Sequence, residues 1–329
     1  MPKISVIIPC YNTATWLASC IQSIQKQSFT DIEIICINDA STDNTLSILK
    51  ALAQNDKRII VVDLLTNHGV SIARNIGINI SSGEYISFID SDDLIGSDFY
   101  TQLYRTAETE EADIIKSASI SIDENNQPIQ IDNINPLILK NKGYFLSQFW
   151  SAIYKKDLIE KFNIKFPEKL IRGQDRAFLL KAVMSCQKIS VNDSVHYIYR
   201  RRTGSSDSKK LSIKKIESNL FCFDDILSFA SNISELDPQL HALQCYSYIQ
   251  NCISDSSRAV ETEFSESSKL CAKKIVEIYD KCLAQNELTH ILKKEIALLT
   301  MIRNNDIKGL ITYSQLSIFQ RLRYNIGKK

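Results

Sequence analysis

Four polar clusters follow short apolar runs in the first hundred residues: Pro9-Cys10-Tyr11-Asn12, Asn38-Asp39-Ala40-Ser41-Thr42-Asp43, Asn67-His68-Gly69 and Asp90-Ser91-Asp92-Asp93. The last carries the strongest signal. Three carboxylates so close together repel one another unless a cation or a positive neighbour is present. Oxygen ligands suit a hard ion, Mg²⁺ or Mn²⁺, that shares its shell with a substrate diphosphate. The same residues also read as a helix cap with first-turn acids before Leu94 to Tyr104, an arrangement the helix dipole favours. Their position at a strand end tilts the reading toward a metal. Asp39 is suited either to accept a hydrogen bond from a base N–H, reading uracil or guanine, or to close an Asx turn. Tyr11 is either a base-stacking ring or a loop aromatic filling a groove.

Two later segments carry further candidates. Asp175, in Arg172-Gly173-Gln174-Asp175-Arg176, precedes an apolar helical stretch. It reads as an ordinary N-cap or as a general base, which must reach the hydroxyl it deprotonates. The run Tyr199-Arg200-Arg201-Arg202-Thr203-Gly204-Ser205 is either a diphosphate clamp or a solvated basic face. Histidines 68, 196, 241 and 290 show no metal-ligand spacing.

The elements that must position these residues follow from periodicity. Ile4 to Ile8, Glu33 to Ile37, Ile59 to Leu64 and Tyr85 to Ile89 read as strands buried on both faces of a parallel sheet. Between them lie helical spacings at Trp16, Cys20, Ile21 and Ile24, at Leu46, Leu49 and Ala53, and at Ile72 and Ile76; Ser41 and Asp43 are N-cap candidates for the second. Ligands of open parallel sheets bind outside the carboxyl ends of the strands. Pairing of the four strands in one sheet would therefore line one edge with all four clusters, around a nucleotide-sized crevice. No G-x-G-x-x-G follows the first strand, which disfavours NAD and FAD. Asp113 to Ile122 reads as a strand, Asp123 to Asn135 as a loop or weak hairpin, and Phe145 to Lys161 and Arg176 to Cys186 as helices. Beyond residue 210 three helical stripes, Leu243-Tyr246-Ile249-Ile253, Cys271-Ile275-Ile278-Cys282 and Leu292-Ile296-Leu299, predict a helical region over 211–329 behind a catalytic domain over 1–210.

Composition bounds the function classes. The chain has 329 residues with 39 basic and 38 acidic side chains, which argues against a nucleic-acid binder. Glycine (9) and proline (6) are too scarce for collagenous or disordered classes. No apolar run approaches the ~18 residues that span a bilayer, and Ile4 to Ile8, stopped by Pro9, is too short for a signal-peptide core. Nine cysteines without a C-x-x-C pair read as packing residues of a reducing compartment.

Taken together, the motifs resemble those of the inverting, family 2 glycosyltransferases of the GT-A fold, bacterial surface-polysaccharide type. Ile4-Ser5-Val6-Ile7-Ile8-Pro9-Cys10-Tyr11-Asn12 is similar to that family's opening strand and P-x-Y-N turn, and Asn38 to Asp43 to its N-D-x-S-x-D turn. Asn67-x-Gly69 through Ala73-Arg74-Asn75-x-Gly77 resembles its N-x-G-x-x-x-A-R-N-x-G segment, and Asp90-Ser91-Asp92 its D-x-D motif. The likeness runs through Trp150, Tyr154 and Asp175 to about Ser205. It implies a Rossmann-like, mostly parallel sheet flanked by helices. It also implies a donor site at Pro9, Tyr11, Asn12, Asp39, Asn67, Arg74, Asp90, Ser91, Arg200 and Arg202, with Asp39 at uracil. Asp92, with Asp90, would hold Mn²⁺ or Mg²⁺; Asp175 would be the base, and Trp150 and Gln174 would face the acceptor. Gln174 stands where the family usually has Glu, and Arg202 where many relatives have a histidine; an arginine cannot ligate a cation and would instead offset diphosphate charge.

The expected activity is metal-dependent transfer of one hexosyl or N-acetylhexosaminyl group from a UDP-sugar to a glycan or lipid-linked acceptor. The Q-x-x-R-W sequence of processive synthases is missing. A nucleotidylyltransferase would carry a glycine-rich, arginine-containing first loop in place of Pro9 to Asn12, and a non-catalytic sugar-nucleotide binder would not need Asp92 and Asp175 intact. Ile318, Phe319, Leu322 and Ile326, with Arg321, Arg323, Lys328 and Lys329 around them, form a basic amphipathic end. It predicts a cytoplasmic enzyme peripheral to an anionic inner-membrane surface.

Overall fold

The computed structural model describes residues 1–132, 148–168, 170, 172–202, 213–230, 232–233, 264–282 and 296–314. The stripe Leu243 to Ile253, Leu292, the tail 316–329 and Thr203 to Ser205 lie outside them. The chain divides into two compact units, Met1–Leu170 with Gln174–Ser205, and Ile171–Gly173 with Ser206–Lys329.

The first unit is built on a nine-stranded mixed sheet. Strands β1 (Ile4–Cys10), β2 (Ile32–Asn38), β3 (Ile59–Asp63) and β4 (Tyr85–Phe88) lie in the order β3-β2-β1-β4, all parallel. The β-branched residues of β1 and β2 are buried on both faces, as a strand covered by helices on either side requires. The same burial expected of Ile59 to Leu64 is corrected: β3 is the edge strand, with Ile59 buried, Ile60 exposed and Val61 and Val62 half buried. Helices α1 (Ala14–Gln25), α2 (Thr45–Asn55) and α3 (Val70–Ile80) make the crossovers. All four polar clusters therefore follow strands that end on the same edge. Pro9 is tolerated near the end of a central strand for a geometric reason. The Ile7 carbonyl accepts from Ile89 on the β4 side, and Pro9, two residues on, faces that side where the β1–β4 ladder has stopped.

Beyond β4 the sheet becomes mixed. Strands β5 (Leu94–Ile95), β6 (Ile114–Ile122), β8 (Ala152–Lys155) and β9 (Ile189–Arg200) continue it in the order β8-β6-β9-β5, and β7 (Pro128–Asp132) forms a hairpin with β6. Here the helix expected over Phe145 to Lys161 is corrected: of its described residues, Ala152–Lys155 are a strand and only Lys156–Lys161 are helical (α5). Ala152, Ile153 and Tyr154 pair antiparallel between β4 and β6 and are buried on both faces, a pattern that periodicity cannot tell from a buried helix. Helices α4 (Phe99–Glu110) and α6 (Gln174–Ser185) complete the unit.

The second unit contains α7 (Ile213–Ala230), α8 (Phe264–Cys282), α9 (Ile296–Arg303) and α10 (Ile307–Ser314), with Ile216, Leu220, Cys271, Ile275, Leu298 and Leu310 in its core. The Ser218 hydroxyl on α7 accepts from the Arg172 N–H and donates to the Arg172 carbonyl. Cys10, Cys20, Cys36, Cys222 and Cys271 are buried and pack as small hydrophobes.

Candidate active site

The first three clusters are tied to one another. Asp39 accepts hydrogen bonds from the His68 and Gly69 amides at 2.7 and 2.8 Å, and Asn67 Nδ2 donates to the Asp39 carbonyl. The Asn12 amide donates to Ser41 Oγ, and the Thr42 amide donates to Asn12 Oδ1. Asp43 does not cap α2 as expected of it. Asn44 holds that position, while the Asp43 carboxylate accepts from the Ala14 and Thr45 amides and so joins the starts of α1 and α2. These ties hold Asn12 and Ala40 at φ 49° and 56°, a left-handed conformation that only the asparagine adopts readily. Asp39 is buried, whereas the Tyr11 ring above the same edge is half exposed.

Arg74 is the hub of the site. Helix α3 turns Ala73, Arg74 and Asn75 inward and leaves the expected inner face, Ile72 and Ile76, only half buried. Gly77 allows this approach, because a Cβ there would run into Ile7. Arg74 Nη1 donates to Asp175 Oδ1 at 2.5 Å and Nη2 to Asp90 Oδ1 at 2.8 Å. Its guanidinium lies 4.4 Å from the Phe149 ring centroid and 5.1 Å from that of Phe166. Burial by itself lowers its pKa, but Asp175 and Asp90 outweigh that and raise it above the ordinary arginine value. Asn75 clasps the Phe166 backbone on both sides, accepting its N–H and donating to its carbonyl, both at 2.9 Å. Phe166 in turn stacks on Phe178, one turn beyond Asp175 on α6, with centroids 4.1 Å apart. The base candidate is thus set by α3 and an aromatic cluster rather than by its own helix alone.

Crowding by surrounding protein atoms raises the Asp175 pKa, Arg74 opposes this, and Asp90 adds to it. Its side chain nevertheless keeps 48% exposure, which an incoming hydroxyl needs. Arg74 Nε and Gln174 Oε1 are buried without a hydrogen-bond partner among the described residues. One donor and one acceptor beside Asp175 therefore remain unspent.

The acidic cluster splits by role. Asp93 is fully buried, accepting from Tyr197 Oη at 2.7 Å and from the Arg200 amide at 2.8 Å, and it holds the turn onto β9. Tyr197 Oη also accepts from the Asp90 amide. Ser91 presents its carbonyl to Thr13 Oγ1. Asp92 pairs with Arg202, Nη2 to Oδ2 at 2.6 Å. Burial and then Asp90 push the Asp92 pKa up, with Arg202 acting against them. Arg200 is buried over the Trp16 ring at 4.5 Å; its Nε donates to the Asp92 carbonyl and its Nη1 to Asn126. Arg201 donates to Gln130. Of the three arginines, Arg202 alone combines exposure (39%) with contact to the acids.

Among the described residues no three of His, Cys, Asp or Glu gather into a metal cage. The part-exposed carboxylates of Asp90 and Asp92 are nonetheless an oxygen-only pair. They suit Mg²⁺ or Mn²⁺, which commonly takes one or two carboxylates and completes its shell with substrate phosphates and water.

On the other flank, Trp150 lies on Tyr197, centroids 4.1 Å apart, and is stacked on Tyr199 at 5.6 Å. Beneath it lies Lys116, a residue the sequence reading passed over. This buried amine on β6 donates to the Gln148 carbonyl and to Ser151 Oγ, and so anchors the segment that carries Phe149 and Trp150. Burial pushes its pKa down to about 7, against ~10.4 in an unfolded chain. Between these values the unfolded chain binds the extra proton, so stability rises with pH by up to about 1.4 kcal/mol per unit; below the folded value the full cost is present. The parent should therefore gain stability relative to Lys116→Met as pH rises from about 7 to 9.5, read from urea midpoints. A gap independent of pH would contradict a neutral buried amine.

Comparison with known proteins places this geometry. The family described as Glycosyl transferase family 2 matches over residues 5–171. The chain is 31% identical over 218 residues to the glycosyltransferase EpsJ of Bacillus subtilis, covering 62% of this chain and 63% of that protein. It is 28% identical over 328 residues to a poly(ribitol-phosphate) beta-glucosyltransferase of Bacillus spizizenii, covering 95% of this chain and 50% of that protein. This chain thus spans between half and two thirds of the length of these relatives. Staphylococcus aureus TarS 1–349, crystallised with UDP-GlcNAc, superposes with a TM-score of 0.75 at 22% identity, covering 97% of this chain and 92% of that one. At that identity the likeness is one of fold, GT-A with a helical C-terminal region.

Proposed function

Because the chain belongs to glycosyl transferase family 2, we propose that it moves one hexosyl or N-acetylhexosaminyl group from a UDP-sugar to a hydroxyl of a glycan or lipid-linked acceptor in surface-polysaccharide synthesis, with inversion. The observation that carries this reading is the single guanidinium of Arg74 joining Asp175 to Asp90. It ties a half-exposed carboxylate, suited to take a proton, to the acidic turn where a diphosphate would lie.

The reaction is a single displacement. The acceptor oxygen forms its bond to the anomeric carbon as the bond to the diphosphate oxygen breaks, and the electron pair leaves with UDP. Asp175 takes the acceptor proton. Arg74 keeps Asp175 oriented and ionised, and Gln174, half buried beside it, would face the acceptor. Asp92, with Asp90, would hold Mn²⁺ or Mg²⁺, which when bound offsets charge on the leaving diphosphate. Tyr11 would stack on the base and Asp39 would read uracil N3–H, its carboxylate already aimed by the His68 and Gly69 amides. Pro9, Asn12, Asn67 and Ser91 shape the crevice. Arg200 supports it from below, since its donors are held by protein.

The donor assignment is supported by the resemblance at Asp39 and by the UDP-GlcNAc bound to the TarS neighbour. Calorimetry with UDP, GDP and dTDP in Mn²⁺ tests it. UDP should bind tightest, and a preference for GDP, or no nucleotide binding, would overturn the donor.

No helix among the described residues is long and apolar enough to cross a membrane. The basic apolar segment 316–329 supports a peripheral place at the cytoplasmic face, each basic residue adding about 1 kcal/mol at an anionic surface. Liposomes rich in anionic lipid should sediment the full chain at low salt and retain less of a chain ending at 315. Equal partitioning would remove the membrane role.

A further inference from the structure

We propose that Arg202 is an internal counter-ion for Asp92 that a divalent cation must displace, so that cation and nucleoside diphosphate enter this site as a coupled pair. The inference rests on the reading of Asp92 as a metal ligand. Its basis is the 2.6 Å pair between Arg202 Nη2 and Asp92 Oδ2. The two neighbouring arginines cannot serve in this way. Arg200 is clamped between Trp16, Asn126 and the Asp92 carbonyl, and Arg201 bonds Gln130. Arg202 stands just beyond the end of β9 with 39% of its side chain exposed, so it can leave Asp92 without unpacking the core.

Chemistry makes the contact exclusive. A guanidinium stays protonated and has no lone pair to offer a metal. It therefore competes with the cation for Oδ2. A histidine at this position could act as a ligand; the arginine turns a potential ligand into a competitor. Once displaced, its planar fork is suited to the diphosphate oxygens. A cation arriving alone breaks an ion pair and leaves Arg202 without a partner. Arriving with the diphosphate, it frees an arginine that immediately finds one. The coupling is reciprocal: whatever factor UDP contributes to cation affinity, the cation contributes to UDP affinity.

Free Mn²⁺ measured by electron paramagnetic resonance, with and without UDP, tests this on the full chain and on Arg202→Gln and Asp92→Asn. In the parent, UDP should tighten Mn²⁺ binding strongly. Arg202→Gln should bind Mn²⁺ alone on the order of tenfold tighter than the parent, since a part-exposed ion pair and a nearby positive charge are both removed. The further tightening by UDP should shrink in that variant. Asp92→Asn should lose the site under both conditions. If Arg202→Gln binds Mn²⁺ alone no better than the parent while Asp92→Asn has lost the site, the metal assignment stands and the counter-ion role is overturned. If the parent takes up no Mn²⁺ even with UDP, or Asp92→Asn binds as well as the parent, the metal reading falls and this inference with it.

Discussion

Asp175→Asn is expected to bind UDP within a few-fold of the parent while donor turnover falls by ~10²–10⁴-fold, the range for loss of a general base. The substitution is nearly isosteric, and the amide oxygen can still accept from Arg74 Nη1. The side chain is half exposed and the buried Arg74 keeps Asp90 as a counter-ion, so the fold should survive the loss of its charge. What disappears is the ability to take a proton. Donor hydrolysis suffices as the assay, because water as acceptor must also surrender a proton. The acid limb of the parent's rate profile should lie above the ordinary carboxylate value, because the Asp175 pKa is raised and only its ionised form accepts a proton. The limb should vanish in the asparagine variant. An unchanged limb would assign it to another group.

Arg74→Leu is expected to damage both stability and catalysis. Removing one member of a buried ion pair typically costs about 3–5 kcal/mol. Here the carboxylates keep 48% and 30% exposure and can rehydrate, so about 1–3 kcal/mol is the expected loss. Turnover should fall ~10²-fold or more, because the base loses its orientation, and the acid limb should move further up in pH as the opposing positive charge is removed. Arg74→Lys should recover part of the stability but little of the rate, since one ammonium cannot reproduce a fork spanning two carboxylates. Urea midpoints and the pH dependence of kcat separate the two effects. A leucine variant with parental kcat and acid limb would reduce Arg74 to a packing residue.

These predictions turn on contacts of very different legibility. The four strand-end clusters were visible because apolar runs and polar turns alternate strictly through residue 93, and a parallel sheet leaves such turns only one edge to occupy. Asp92, Asp175 and Arg74 could be named as candidate site residues from their motifs. Their connection could not: Arg74 and Asp175 are 101 positions apart, and nothing in either segment encodes the other. The aromatic walls of Arg74 come from Phe149 and Phe166, in segments without a motif. Ala152–Lys155 were misread because a strand buried on both faces has no alternation to show. Residue type does not tell the burial of Arg200 from that of Arg202; the packing of Arg200 on Trp16 and its bonds to Asn126 and the Asp92 carbonyl do. Lys116 left one signal, a charge following Ile114-Ile115 at the start of an apolar strand, and its meaning depends on the chain segment that covers it.

Release of nucleoside diphosphate tests the central claim most directly: that this chain transfers sugar from a UDP-sugar with Asp175 as its base. UDP-, GDP- and dTDP-sugars would be supplied with Mn²⁺ to the parent and to Asp175→Asn side by side. The prediction is that UDP is released from a UDP-sugar by the parent and at near-background rates by the variant. Release of no diphosphate from any donor, release of GDP in preference to UDP, or equal rates for parent and variant would contradict it.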